Sequence, residues 1–163
     1  MKRLVFISAF MISATLWSQI SPQSKKVTKT FFPDYEALDN TTPALQKKKG
    51  YTNYSELMAF LNNLVDQHPH IAQLRYIGES QKGKKIPLLS LNKKSSTPKI
   101  KVWMMGGLHG NEPASTEGIL YFLDKILNDI EVSYLLDKIE LAVVPMANID
   151  GYLKQSRYAA NGL

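Results

Sequence analysis

Cysteine is absent from this 163-residue chain, and histidine occurs three times, at positions 68, 70 and 109. The first absence excludes a disulfide-stapled scaffold, a thiolate metal site and a cysteine nucleophile. The second means that any imidazole-based chemistry draws on three side chains. No apolar run reaches the ~20 residues that a spanning helix needs, so nothing here reads as a membrane span. Charge of one sign is not concentrated either: 20 basic residues stand against 14 acidic ones, a net +6. The lysines fall in short scattered groups without interleaved aromatics, which argues against a nucleic-acid surface.

What is present suits one globular domain, with 44% hydrophobic residues. The chain opens MKRLVFISAFMISATLWSQ, two cations followed by an apolar run over residues 4–17 and then polar sequence. That is the pattern of a secretory signal peptide over residues 1–18, with cleavage expected after Ser18 and an uncleaved anchor as the alternative. Removing Lys2 and Arg3 with it lowers the net charge from +6 to +4. Export to a periplasm or the medium follows, with no stable membrane insertion after cleavage, and the lack of cysteine is compatible with an exported domain that has a real core.

Residues 19–50 carry Pro22, Pro33 and Pro43 with many Ser, Thr and Lys, and read as a linker or N-terminal arm. Phe31, Phe32 and Tyr35 are candidates to dock on the domain behind. The domain proper is expected over 51–163. Leu57, Met58, Leu61, Leu64 and Val65 recur at helical spacing, with Asn53 or Ser55 placed to cap, and Pro69 ends that helix. AQLRYIGES and IPLLSLN flank Gln81-Lys82-Gly83-Lys84 as a β-hairpin. KIKVWMMGG reads as a strand covered on both faces, because its apolar end is continuous. A long helix follows Pro113, whose missing N–H costs nothing in a first turn. A shorter helix is expected at 132–137, then the strand IELAVVPMAN and a turn at Asn148-Ile149-Asp150-Gly151. Strand, helix, strand with both strands apolar predicts a parallel pair in an α/β sheet, and loops leaving the C-terminal ends of such strands are where sites gather.

GGLHGNEPAS, residues 106–115, leaves one such end. His109 and Glu112 stand at i and i+3 across a helix entry, a separation that brings two side chains together. Zinc accepts imidazole nitrogen and carboxylate oxygen, and its catalytic sites use three protein ligands plus water. Gly106, Gly107 and Gly110 are expected to let the backbone turn and to leave room for a substrate. By itself H-x-x-E is equally a loop histidine and a glutamate near a helix N-terminus.

Taken in order, the hairpin IGESQKGKKIPLLSL, the loop GGLHGNEPAS and the segment VVPMANIDGYLKQSRYAANGL resemble the N-terminal half of a zinc carboxypeptidase of the metallocarboxypeptidase superfamily. The resemblance covers about residues 51–163. It implies a mixed, largely parallel sheet flanked by helices, incomplete in this chain. It also implies Zn2+ as cofactor and removal of C-terminal residues from a peptide substrate. His109 and Glu112 match the first two zinc ligands, and Arg157 matches the arginine that polarises the scissile carbonyl. The structural alternative for Arg157 is a solvated surface arginine. Asn148, Asp150 and Gly151 match the family's turn and are read as structural. His68 and His70, at a helix end, are read as solvated.

The resemblance also marks what is missing. In the family an Asp-Leu-Asn-Arg segment that grips the substrate carboxylate follows the position of Leu163, and later come a third histidine ligand and a glutamate base. The 163 residues are therefore expected to be a truncated, inactive portion. Rival readings are a zinc deacylase or cell-wall peptide amidase on the same scaffold, and an exported peptide-binding module without chemistry.

Overall fold

Asn53 starts the first long helix of the computed structural model, which describes residues 24–31 and 41–162. Its side chain accepts from Glu56 N at 3.0 Å while the Glu56 carboxylate accepts from Asn53 N at 2.8 Å, closing a reciprocal cap. Such a cap contributes about 1 kcal/mol by satisfying donors that the first turn leaves free. Of the two expected cap positions Asn53 is the one used. Helix α2 (Tyr54–Gln67) then buries Leu57, Phe60, Leu61 and Leu64 on one face, each worth about 1.5 to 3 kcal/mol relative to exposure. It ends at His68, one residue before Pro69, and the His68 ring meets the Asn128 side chain at 3.0 Å rather than water alone.

The hairpin forms as expected. Strand β1 (Ala72–Glu79) pairs antiparallel with β2 (Lys85–Leu91), with a register shift between Tyr76 and Gly78. Strand β3 (Ile100–Met105) leads through residues 106–113 into helix α3 (Ala114–Asn128), with Pro113 just ahead of the first turn. A short helix α4 (Ile130–Ser133) and a 3-10 turn (Tyr134–Asp137) return the chain to β4 (Ile139–Val144), where a single short helix was expected at 132–137. The four strands are ordered β1-β2-β4-β3. β4 lies antiparallel to β2 and parallel to β3, so the sheet is mixed and the predicted parallel pair is β3 with β4.

Helices α2 and α3 enclose one core with the sheet, in which Leu89, Leu91, Leu120, Leu123 and Val143 are fully or almost fully buried. The other face of β3 corrects the expectation of a strand covered on both sides. Trp103 is 57% exposed and Met105 51%, because β3 is the edge of the sheet and, among the described residues, nothing overlies them. The run WMM is apolar, but only Val102 and Met104 pack on the core.

Helix α1 (Lys25–Phe31) is a separate unit that buries none of its own residues. It occupies part of the segment read as a linker. The signal-peptide reading, Phe32 and Tyr35 lie outside the described residues. Among those described, no helix is long and apolar enough to cross a membrane.

Candidate metal centre

Parallel neighbours deliver their exit loops to the same place. Beyond Met105 and Val144 the two loops stay bonded: Ala147 N donates to Gly106 O and Asn148 N to Gly107 O, both at 2.9 Å. Gly107 has φ +62, a left-handed conformation that a side chain resists. Its N–H is held by Ser115 Oγ at 2.9 Å, so the first turn of α3 shapes the loop that precedes it.

The loop presents His109 and Glu112 as their spacing suggested. A backbone bond from Glu112 N to His109 O at 3.1 Å closes the turn. His109 Nδ1 then lies 3.0 Å from Glu112 Oε2. Arg157 joins them from farther along the chain beyond the other loop, its Nη1 donating to Glu112 Oε1 at 2.7 Å. All three side chains remain open to solvent, at 35%, 55% and 52% exposure for His109, Glu112 and Arg157. The Glu112 carboxyl is held below its ordinary range, first by the hydrogen bond from His109 and then by the charges of His109 and Arg157. Arg157 is thus an ion-paired residue rather than a freely solvated one.

The donor set can be tested against zinc. Bonds of ~2.1 Å at a tetrahedral angle place two donor atoms about 3.4 Å apart. The His109 nitrogen and Glu112 oxygen, 3.0 Å apart, are close to that separation and of the right chemistry. A third donor is not beside them: among the described residues no group of three or more His, Cys, Asp or Glu is placed to share an ion. His68 and His70 flank the far end of α2 and belong to other surroundings. The pair therefore fits two vertices of a zinc site.

His109 and Arg157 border a cleft of about 570 Å³. Its opposite wall is the β1–β2 turn, with Ser80 and Gln81 facing in. Asp150, 4% exposed, holds that wall by accepting from Ser80 Oγ and Lys82 N, both at 3.0 Å. The expected turn at 148–151 is in fact the start of a short helix, α5 (Ile149–Leu153), capped by Asn148, whose side chain accepts from Gly151 N at 3.0 Å. Gly110 does not make room for substrate as expected. A Cβ there would overlap the backbone of Gly151 and Tyr152, so the missing side chain makes room for α5.

Glu117 was not singled out from the sequence. From the first turn of α3 it accepts from Thr52 N at 2.7 Å, Thr52 Oγ1 at 2.8 Å and Tyr152 Oη at 3.2 Å. Its only signal is position: a carboxylate next to the buried stripe of Thr116, Ile119 and Leu120 needs partners. Burial, then the nearby Glu117 carboxylate, push the Tyr152 phenol well above its ordinary range.

Comparison with known proteins bears on this arrangement. The sequence model of the zinc carboxypeptidase family matches residues 57–161. Carboxypeptidase 2 of Trichophyton rubrum is 32% identical over 118 residues, which cover 68% of this chain and 22% of that protein. Human carboxypeptidase D is 32% identical over 108 residues, covering 62% of this chain and 8% of that one. Among solved structures, carboxypeptidase A from Helicoverpa armigera superposes with a TM-score of 0.61 at 27% identity, over 66% of this chain and 28% of its own. A metallo-carboxypeptidase from Burkholderia cenocepacia does so with a TM-score of 0.60 at 27% identity, over 69% and 31%. The chain spans about a fifth or less of the length of these curated relatives.

Proposed function

This chain belongs to the zinc carboxypeptidase family, and from that premise we propose that it forms the front portion of an exported, zinc-dependent carboxypeptidase that removes C-terminal residues from peptides. The observation that carries the reading is the convergence of His109, Glu112 and Arg157, within 3.0 and 2.7 Å, at the shared mouth of β3 and β4.

His109 and Glu112 would hold the zinc ion. When bound, zinc supplies Lewis acidity and a water of lowered pKa. The residues of this chain do the rest of what they can do. The Arg157 guanidinium, fixed beside the ligands, donates hydrogen bonds to the oxygen on which negative charge develops. The turn between β1 and β2, pinned through Asp150, bounds the peptide on the far side of the cleft. A third ligand, a general base and the group that grips the substrate carboxylate are proposed to come from sequence outside these 163 residues, in keeping with the length of the relatives. Taken alone, the 163 residues are then inactive and bind zinc weakly. Export rests on the N-terminal pattern of two cations and an apolar run.

The alternatives share the scaffold: a zinc deacylase or cell-wall peptide amidase, or a peptide-binding module without chemistry. The test is to express the complete coding region, load it with zinc and assay release of C-terminal residues from free-acid peptides and from their C-terminal amides. Stoichiometric zinc with cleavage of the free acids alone supports the carboxypeptidase. Cleavage indifferent to the terminal carboxylate supports the amidase, and zinc-free binding supports the module.

A further inference from the structure

The separation between the ligand pair and Arg157 is set by neither loop on its own. Between them lies α5, and its two sides are main chain. On one side Gly110 lies against it, with the space for a Cβ taken by Gly151 and Tyr152. On the other side a Cβ at Gly151 would stand 2.5 Å from Tyr158 O and 2.5 Å from Asn148 Nδ2. Ser156 N donates to Gly151 O at 2.9 Å, which draws the segment carrying Arg157 onto the same surface. Three stretches of backbone are thus stacked, 109–110 on 151–152 on 156–158, with glycine wherever a side chain would force them apart.

Two further contacts keep the middle layer from sliding or rotating. Asn148 ties α5 to the ligand loop through its backbone bond to Gly107 O at 2.9 Å and caps α5 through its side chain at 3.0 Å. Tyr152, 2% exposed, bonds Glu117 at 3.2 Å, and Glu117 stands on α3, the helix that Glu112 introduces. We infer that α5 is a rigid spacer that sets the distance between the Arg157 guanidinium and the Glu112 carboxylate, with Gly151 and Tyr152 as positioning residues. Packed main chain lacks the rotamer freedom by which side chains absorb small displacements, so an added methyl in the stack moves a whole layer. At a reacting centre a misplacement of about 1 Å can cost a hundredfold in rate.

The inference has a geometric arm, independent of activity, and a kinetic arm that rests on the function proposed above. For the first, the complete protein and its Gly151→Ala variant are crystallised in chelator. The expected result is that the contact of 2.7 Å between Arg157 Nη1 and Glu112 Oε1 opens beyond hydrogen-bond reach while His109 and Glu112 keep their places. An unchanged contact overturns the inference whatever the enzyme does.

For the second, kcat and zinc affinity are measured on the zinc-loaded complete enzyme. Gly151→Ala is expected to lower kcat by about ten- to a hundredfold with zinc affinity unchanged. In an Arg157→Ala background the same change should cost nothing further, because a residue that acts through Arg157 has no effect without it. Equal losses in both backgrounds, or a parallel loss of zinc, mean that Gly151 is merely structural. If Gly151→Ala does not fold, Tyr152→Phe, which adds no volume, carries the same cycle with a smaller loss. Full additivity there overturns the inference as well. A wild-type enzyme that holds zinc and cleaves no peptide defeats the proposed function and leaves the crystallographic arm to decide this one.

Discussion

Arg157 and Glu112, 45 positions apart in the chain, meet in an ion pair of 2.7 Å. The carboxylate that meets the arginine on one oxygen meets His109 on the other. A candidate zinc ligand and a candidate oxyanion donor thus already share one locus, and the pair anchors two of the expectations that follow.

Arg157→Ala in the complete, zinc-loaded enzyme is expected to lower kcat by about 10² to 10³ with little change in KM, since in the proposed role the guanidinium acts where charge develops. Arg157→Lys should recover only part of the loss, because an ammonium lacks the planar fork. Steady-state kinetics on a free-acid peptide check this, and a KM effect with kcat preserved would reassign Arg157 to ground-state binding.

Removing either proposed ligand should act on metal before it acts on fold. His109→Ala and Glu112→Gln are each expected to weaken zinc binding by more than about a hundredfold in a competition titration, a larger effect than loss of an outer partner produces. The melting temperature of the zinc-free protein should hardly move, because Glu112 is exposed and His109 is only partly buried.

Acid should loosen the start of α2. Glu56 has a lowered pKa, chiefly through the hydrogen bond from Lys47 and then the backbone bond from Asn53. A carboxyl whose folded pKa is depressed contributes stability that is complete above its unfolded value and is lost as pH falls through the folded value. The contribution should therefore be intact above the ordinary value of 4.5 and drain away beneath it. Denaturant titrations at stepped pH should show an acid limb that flattens in Glu56→Gln.

Asp150→Ala should cost about 2 to 3 kcal/mol, since it strips a buried carboxylate from the Ser80 hydroxyl and the Lys82 amide. Urea unfolding of the complete protein gives the number. A change under 0.5 kcal/mol, by the usual surface standard, would show that the turn is held by something else.

The open face of β3 is an association hazard when the 163 residues are produced alone. Trp103→Lys is expected to raise the soluble yield and lower light scattering without loss of stability, because Trp103 is 57% exposed and outside the core. A sharp cooperative melt of a soluble wild-type monomer would contradict this.

Much of the framework could be read from residue order. Leu57, Leu61 and Leu64 announce α2 by spacing, Gly83 announces the hairpin turn, and the spacing of His109 and Glu112 announces that their side chains meet. Three features were hidden, each for a physical reason. The apolar run through Trp103 suggested two covered faces, but hydropathy reports what a side chain prefers and not whether anything covers it. Asn148 to Gly151 carries turn residues, and the same residues cap and open α5 once Asn148 accepts from Gly151 N. Glu117 gains its meaning from Thr52 and Tyr152, and partners 65 and 35 positions away leave no local trace.

The sheet order carries a consequence for biosynthesis. β4, the last of these four strands to be made, lies between β2 and β3. As the chain leaves the ribosome, the hairpin can zip at once, whereas β3 has no neighbour until Ile139–Val144 emerges and wedges between them. Through that interval Val102, Trp103, Met104 and Met105 wait without a partner strand, a window in which a holdase would find its target.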